Sequence, residues 1–150
     1  MDACSAVPIV FTGHGGGPMP LIGKNRDLMR TWAPGSSLHS ILHSPDIKSI
    51  VVISAHHESD DGSVLVMNDL KPKLLFDYSG FPPETYEYTL PNPGEPSLAA
   101  RVTSLLSAAS IPTRTEPGRG HDHGVFVPLL ALEVASKRPT LPIVSVSLRG

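Results

Sequence analysis

The stretch VVISAHHESDDG, residues 51–62, changes abruptly from apolar to polar along the chain. Its first part belongs to an apolar, β-branched run over residues 49–55 that predicts a buried strand. Two adjacent histidines, His56 and His57, follow directly, and acidic residues come after them. Because a strand end is a rigid place to mount a reactive group, the question is whether these imidazoles have partners elsewhere in the sequence.

The composition bounds the class of protein. The chain has 150 residues, of which 40% are hydrophobic and 17% charged, with a formal net charge of -2. A chain of this length can bury a core without disulfides, and its charge indicates neither a nucleic-acid surface nor an acidic tail. The single cysteine, Cys4, has no internal partner and no basic neighbour that would activate it. We therefore expect one domain, residues 1–150, that binds small molecules rather than nucleic acid.

Targeting and membrane signals are not apparent in the sequence. No apolar run approaches the ~18 residues that a membrane-spanning helix requires. The first residues also lack the basic region that opens a secretory signal. These observations predict a cytoplasmic protein with no membrane partner.

Strands and helices are predicted to alternate along the chain. Apolar runs predict strands at residues 7–11, 49–55, 63–67 and 142–148. Helical spacing and capping residues predict helices within residues 24–33 and 37–44, over residues 96–110, and from residue 125 onward. This order predicts an α/β fold, a three-layer sandwich with a mostly parallel central sheet. Such sheets bind ligands beyond the carboxyl ends of their strands.

Histidines lie where three of the predicted elements meet loops. His14 comes three residues after the first apolar run, and His56 follows the second. His121 and His123 flank Asp122 in a glycine-rich stretch before a predicted helix. Converging neutral imidazoles suit a divalent transition metal, because each ring offers a lone pair near neutral pH. We also expect Asp122 to orient a neighbouring imidazole as a hydrogen-bond acceptor.

Other histidines are better explained without a metal. Adjacent residues of an extended segment point to opposite faces, so only one of His56 and His57 is expected to reach a given ion, and we favour His56. His39 and His43 have the i, i+4 spacing of helical metal ligands. No accompanying acid completes a known metal motif there, so we interpret their segment as an amphipathic packing helix.

Five motifs together resemble a known family. In chain order they are FTGHGGGP, VVISAHHE, DYSGFP, LPNPGEPSLAARV and GRGHDHGVFVPLLAL, between about residues 7 and 148. They resemble the class III extradiol ring-cleaving dioxygenases, specifically the DOPA 4,5-dioxygenase-like branch. The resemblance implies a catechol such as DOPA and dioxygen as substrates, with non-haem Fe(II), or alternatively Zn(II), as the cofactor.

The resemblance also implies roles for individual residues. His14 and His56 correspond to metal ligands of the family. His123 corresponds to a histidine that lines the active site close to the substrate, so it is the candidate catalytic and substrate-binding residue. Tyr78 and Phe81, from the DYSGFP motif, are candidates for the walls of the substrate pocket.

The sequence departs from the family pattern in three respects. The turn after His14 has one glycine more than usual, and His57 stands where the family usually has tryptophan. Members of the family are also longer, and their later half contributes a further acid/base histidine and the remaining metal ligand. We therefore expect a truncated α/β domain that self-associates through exposed apolar surface. Two alternatives stay open: a non-catalytic family member that binds metal weakly, and a hydrolase that uses zinc-bound water.

Overall fold

A four-stranded sheet organises the computed structural model, which describes residues 7–150. Its strands are β1 (Ile50–Glu58), β2 (Val64–Val66), β3 (Thr113–Thr115) and β4 (Ile143–Leu148), and their order in the sheet is β1-β4-β2-β3. β1 pairs parallel with β4, β2 pairs parallel with β3, and β2 meets β4 antiparallel. The sheet is thus mostly parallel, which confirms the predicted α/β class.

Helices cover both faces of this sheet. They are α1 (Arg26–Trp32), α2 (Ser37–Leu42), α3 (Pro96–Ala108), α4 (His123–Ala131) and α5 (Val134–Lys137). Ile143 of β4 packs into a core with Trp32 and Phe126, whereas the next residue, Val144, packs with Ala99 of α3. Because successive strand residues point to opposite faces, the two cores lie on opposite sides of the sheet. This is the predicted three-layer arrangement.

Local sequence explains where several helices begin. The Ser36 side chain caps α2 by accepting a hydrogen bond from the His39 backbone at 3.2 Å. Pro96 occupies the first turn of α3, where its missing N–H leaves no helix bond unmade. α4 begins at His123, two residues before the start that the sequence predicted. That earlier start places His123 at the beginning of a rigid element.

The prediction of an interior strand at residues 7–11 is wrong. These residues belong to no strand, and Ile9 and Phe11 are 97% and 100% exposed. The residue that follows this segment, Thr12, contacts α1 instead, because its hydroxyl accepts a hydrogen bond from the Trp32 indole at 3.0 Å. An apolar run becomes a buried strand only where a neighbouring strand pairs with it. β1 is an edge strand, and no strand within residues 7–150 pairs with its outer edge.

β1 extends further than predicted and contains a bulge. Ser54 pairs with Ser147 and Glu58 pairs with the next residue, Leu148, so residues 55–57 have no counterparts on β4. A bulge of this kind bends a strand and redirects its side chains. His56 therefore projects from an irregular part of the sheet rather than from a loop.

The sequence also led to expectations about membrane spans, Cys4, domain number and location. None of the helices within residues 7–150 has the length and apolar character to cross a membrane. Cys4 lies outside the described residues. The single domain over residues 1–150 and the cytoplasmic location stay predictions.

Candidate metal centre

Three separate elements bring three histidines together. His14 comes from the glycine turn, His56 from the β1 bulge and His123 from the first residue of α4. One potential ligand atom from each side chain lies within 4.8 Å of the others, in the one such group found among the described residues. The structure thus brings together the residues that the sequence placed at one edge of the sheet.

The spacing of the imidazoles fits a shared ion. Nε2 of His14 lies 3.2 Å from Nε2 of His56. Two imidazole nitrogens bound to one zinc-like ion at about 2.0–2.1 Å would be about 3.0–3.4 Å apart, depending on the angle between them. The centroid of the His123 ring lies 4.1 Å from that of His56 and 5.0 Å from that of His14. The three side chains therefore fit a divalent transition metal.

The surroundings of His14 favour the neutral form of its imidazole. Burial lowers the pKa of His14, and the neighbouring His123 and His56 rings lower it further. A lowered pKa favours the neutral imidazole, which is the form that offers a lone pair to a metal. His14 is therefore in a suitable protonation state to bind a metal near neutral pH.

A carboxylate that the sequence analysis missed lies behind two of these rings. Oδ1 of Asp77 accepts hydrogen bonds from the backbone N–H of His123 at 2.9 Å and from Nδ1 of the same residue at 2.8 Å. Its Oδ2 lies 3.7 Å from Nδ1 of His56. Burial opposes ionisation of Asp77, but the hydrogen bonds from His123 outweigh it and lower the pKa of this carboxyl. The signal was present in the sequence, since Asp77 opens the DYSGFP motif.

Asp122 has a different role from the expected one. Its fully buried carboxylate accepts a hydrogen bond from the Ser54 hydroxyl at 2.6 Å and pairs with Arg119 at 2.9 Å, rather than contacting an imidazole. Ser54 Oγ in turn accepts from the His56 backbone N–H at 3.1 Å, and Arg119 donates to the His56 carbonyl at 2.7 Å. The network therefore holds the main chain on both sides of His56.

Close packing around this network favours a glycine at the first turn of α4. A Cβ added to Gly124 would lie 3.0 Å from both Asp122 Oδ1 and Ser54 Oγ. Such contacts are tighter than those that real side chains normally make, so a larger residue would need these two oxygens to shift by a few tenths of an ångström. The glycine after His123 thus lets α4 approach β1 closely.

His57 faces away from the metal centre. Its side chain is buried, and its Nε2 lies 2.6 Å from a carboxylate oxygen of Glu116. Burial and the nearby Arg119 charge lower the pKa of His57, while Glu116 opposes that shift. Of the two adjacent histidines, only His56 belongs to the cluster, and its binding of an ion stays a prediction.

The two aromatic candidates pack beside the cluster. The Tyr78 ring centroid is 6.0 Å from that of His123 and 5.5 Å from that of Phe81. The Tyr78 hydroxyl donates to the Thr85 carbonyl, and burial raises the pKa of Tyr78 to about 12. A Cβ on Gly17 would lie 3.1 Å from the Phe81 ring, so this ring packs against the glycine turn that carries His14. Their contact with a substrate stays a prediction.

His39 of α2 and His43, which directly follows this helix, make contacts outside the cluster. His39 lies 3.3 Å from a carboxylate oxygen of Glu133, and His43 Nε2 lies 2.7 Å from the Leu132 carbonyl. Both contacts tie α2 to the region between α4 and α5. This agrees with their interpretation as packing residues.

Comparison with known proteins then establishes the family. Residues 7–149 match the family described as the catalytic LigB subunit of aromatic ring-opening dioxygenase. The chain belongs to the LigB family. This membership confirms the resemblance to class III extradiol dioxygenases, and members of the LigB family are metal-dependent enzymes.

Several proteins named as dioxygenases resemble this LigB-family chain. It is 35% identical to Dioxygenase tasH of Hapsidospora irregularis, over 93% of the chain and 43% of that protein. It is 41% identical to a 4,5-DOPA dioxygenase extradiol of Beta vulgaris over 57% of the chain and 31% of that protein. The corresponding protein of Escherichia coli K12 is 31% identical over 89% of the chain and 49% of its own length. The chain thus matches less than half the length of each of these relatives.

A solved structure supports the LigB fold. An uncharacterized protein of Escherichia coli K12 superposes with a TM-score of 0.53 at 26% sequence identity. The match covers 81% of this chain and 40% of the other. The architecture described above is therefore shared with a larger protein.

Proposed function

We propose that this LigB-family chain is an extradiol dioxygenase that opens the ring of a catechol such as DOPA, with dioxygen as the second substrate. The observation that carries the proposal is the meeting of His14, His56 and His123 within 4.8 Å. The family match and the relatives named 4,5-DOPA dioxygenase extradiol support the reaction class. His14 and His56 are the proposed ligands of a non-haem Fe(II), and His123 is the proposed catalytic residue.

The metal would supply the redox chemistry. When bound, Fe(II) would supply coordination positions for oxygen ligands and the electron-transfer chemistry of the reaction. The chain's own task is to hold the ion through His14 and His56, whose Nε2 atoms are 3.2 Å apart. The Ser54, Asp122 and Arg119 network supports this task by holding the His56 backbone.

His123 is suited to move a proton. Its Nδ1 is bonded to Asp77, which leaves Nε2 as the nitrogen available to the substrate. Nε2 can accept the proton that a catechol hydroxyl loses on binding, and it can return that proton later in the reaction. Tyr78 lies beside this imidazole, and with Phe81 it would form an apolar wall for the aromatic ring.

The experiment is anaerobic reconstitution of the full chain with Fe(II), followed by DOPA and then dioxygen. We expect a yellow semialdehyde product and oxygen uptake in equal amounts. Replacement of His56 by alanine should abolish both signals, whereas His39→Gln, outside the cluster, should retain them. Fe(II) bound at the cluster with neither product nor oxygen uptake would contradict the proposal. Weak Fe(II) uptake with neither signal would support a non-catalytic family member that binds metal weakly.

A zinc hydrolase is the second candidate, and the composition of the cluster favours it. Among the described residues, the group of potential ligands consists of three imidazoles and includes no carboxylate. Three imidazoles with an open fourth position are the donor set of some zinc enzymes that activate water. Cleavage of an ester or amide by the zinc-loaded chain, with no oxygen uptake by the iron-loaded chain, would support this alternative.

A further inference from the structure

Asp77 makes contacts with two of the three clustered imidazoles. We propose that Asp77 is a positioning residue, which sets the ring orientation and the tautomer of His123 and biases the tautomer of His56. What these contacts do in a reaction depends on the proposed function, that is, on the metal and substrate roles of these histidines. The effect of Asp77 on the two imidazole tautomers can be tested in the metal-free protein.

The first step concerns His123. Asp77 Oδ1 accepts from both the backbone N–H and Nδ1 of this one residue, at 2.9 and 2.8 Å. Two bonds from one oxygen to one residue restrain both the first turn of α4 and the rotation of the ring. A carboxylate only accepts hydrogen bonds, so the ring proton of neutral His123 must be on Nδ1. Nε2 is then the lone-pair nitrogen.

The second step concerns His56. Asp77 Oδ2 lies 3.7 Å from His56 Nδ1, which is too long for a hydrogen bond but close for a charge contact. The side chain of Asp77 is 21% exposed, so water screens this contact only partly. A negative charge near Nδ1 favours the tautomer that carries its proton there. The lone pair of His56 is then on Nε2, the atom that faces His14 at 3.2 Å.

The third step asks whether the Asp77 carboxylate holds the imidazoles or only its own loop. The segment that carries Asp77 is fixed by other bonds, because the Leu75 backbone donates to the His121 carbonyl at 2.7 Å and the Tyr78 hydroxyl donates to the Thr85 carbonyl. The Asp77 carboxylate is not needed for either bond. Its contacts with the imidazoles therefore serve the cluster rather than the fold of the loop.

The experiment measures tautomers by long-range proton–nitrogen correlation spectra of the metal-free, isotope-labelled full chain at pH 8. In the unsubstituted protein we expect His123 to be mainly protonated on Nδ1. Asp77→Ala should shift His123 toward protonation on Nε2. Asp77→Asn separates the two contacts: its amide oxygen can still accept from His123, but the charge near His56 is lost. We expect it to keep the His123 tautomer and to lower the share of His56 protonated on Nδ1.

Metal affinity provides a second measurement, with cobalt(II) as the probe and its visible absorption as the signal. We expect Asp77→Ala to weaken Co(II) binding about 10–100-fold, the usual effect of removing a group that supports a ligand. Asp69→Ala is the matched control, since Asp69 likewise accepts from a backbone N–H, that of Gly118 at 2.8 Å, but it does not belong to the cluster. It should leave both the tautomers and the affinity unchanged.

Clear results would overturn the inference. Protonation of His123 mainly on Nε2 in the unsubstituted protein would do so even if Asp77→Ala does not fold. A folded Asp77→Ala protein with unchanged tautomers and Co(II) affinity within twofold of the original would do so as well. Absence of ring cleavage alongside the expected tautomer shifts would instead count against the proposed function alone.

Discussion

The Nε2 atoms of His14 and His56 lie 3.2 Å apart although 42 positions separate the two residues in the chain. A glycine turn presents one ring and a strand bulge presents the other. Their separation is about that expected for two ligands of one ion. The first of four predictions follows from this arrangement, and none of the four depends on which metal is native.

Removal of one clustered imidazole should abolish specific metal binding. We expect His14→Ala to weaken Co(II) binding by more than about 100-fold, because the loss of a ligand costs more than the loss of a group that supports one. Titration followed by visible absorption measures the effect. The control His43→Gln changes a histidine that bonds to the Leu132 carbonyl outside the cluster, and its affinity should be unchanged. Equal affinities of the original protein and His14→Ala would contradict the proposed site.

The buried Asp122 should contribute strongly to stability. Asp122→Asn removes the charge that pairs with Arg119, whose side chain is only 17% exposed, so we expect a loss of about 3 kcal/mol in the free energy of unfolding. In Asp61→Asn, the exposed pair with Arg114 is altered instead, and the loss should be clearly smaller because water screens that pair. Urea unfolding of both variants measures the difference. Losses of similar size would show that burial of the pair has no special effect.

Stability should fall at acidic pH because of His121. Burial lowers the pKa of His121 to about 4, and its Nδ1 bonds to Ser145 at 2.7 Å. An unfolded histidine protonates near pH 6.5, so between about pH 6.5 and 4 the unfolded chain binds more protons and is favoured as the pH decreases. The stabilisation is fully present above this range, and its loss by pH 4 is on the order of 3 kcal/mol.

Urea unfolding of the metal-free protein at several pH values between 7 and 4 tests this effect. The comparison is with His121→Gln, which removes this imidazole alone. The variant should show a smaller decrease of unfolding free energy with acidity, whatever its stability at pH 7. Parallel curves for the two proteins would rule out His121 as the cause.

The free edge of the sheet should promote self-association. β1 lies at one end of the strand order, and its residues Val51 and Ile53 are 46% and 64% exposed. Exposed strand edges with apolar side chains pair readily with other chains. We expect concentration-dependent oligomers in light scattering, and Ile53→Lys should shift association to concentrations about tenfold higher.

Leu105→Lys is the control for this surface. Leu105 is 61% exposed, similar to Ile53, but it lies on α3 rather than at the sheet edge. Its substitution should leave association unchanged. A monodisperse monomer at all concentrations would contradict the prediction.

Some elements could be predicted because their burial follows from local pattern alone. The apolar runs that became β1 and β4, and the helical spacing that became α3, each specify a face that must be buried. The same reasoning failed for residues 7–11, whose pattern is equally apolar. It also missed β3, a three-residue strand of threonine and arginine that is defined only by its pairing with β2.

The sequence by itself determined the family, because its five motifs occur in the family's order, and those motifs also named His14, His56 and His123 as candidates. The predicted strand before His14 does not exist, so the folded chain alone decided how these imidazoles meet. Only the tertiary structure decided which carboxylate supports the imidazoles. Asp122 is adjacent to His123 in the chain, yet its side chain points to Ser54 and Arg119, while Asp77 reaches His123 across 46 positions. Side-chain direction at a helix start depends on what packs against it, and that is a property of the folded chain rather than of local sequence.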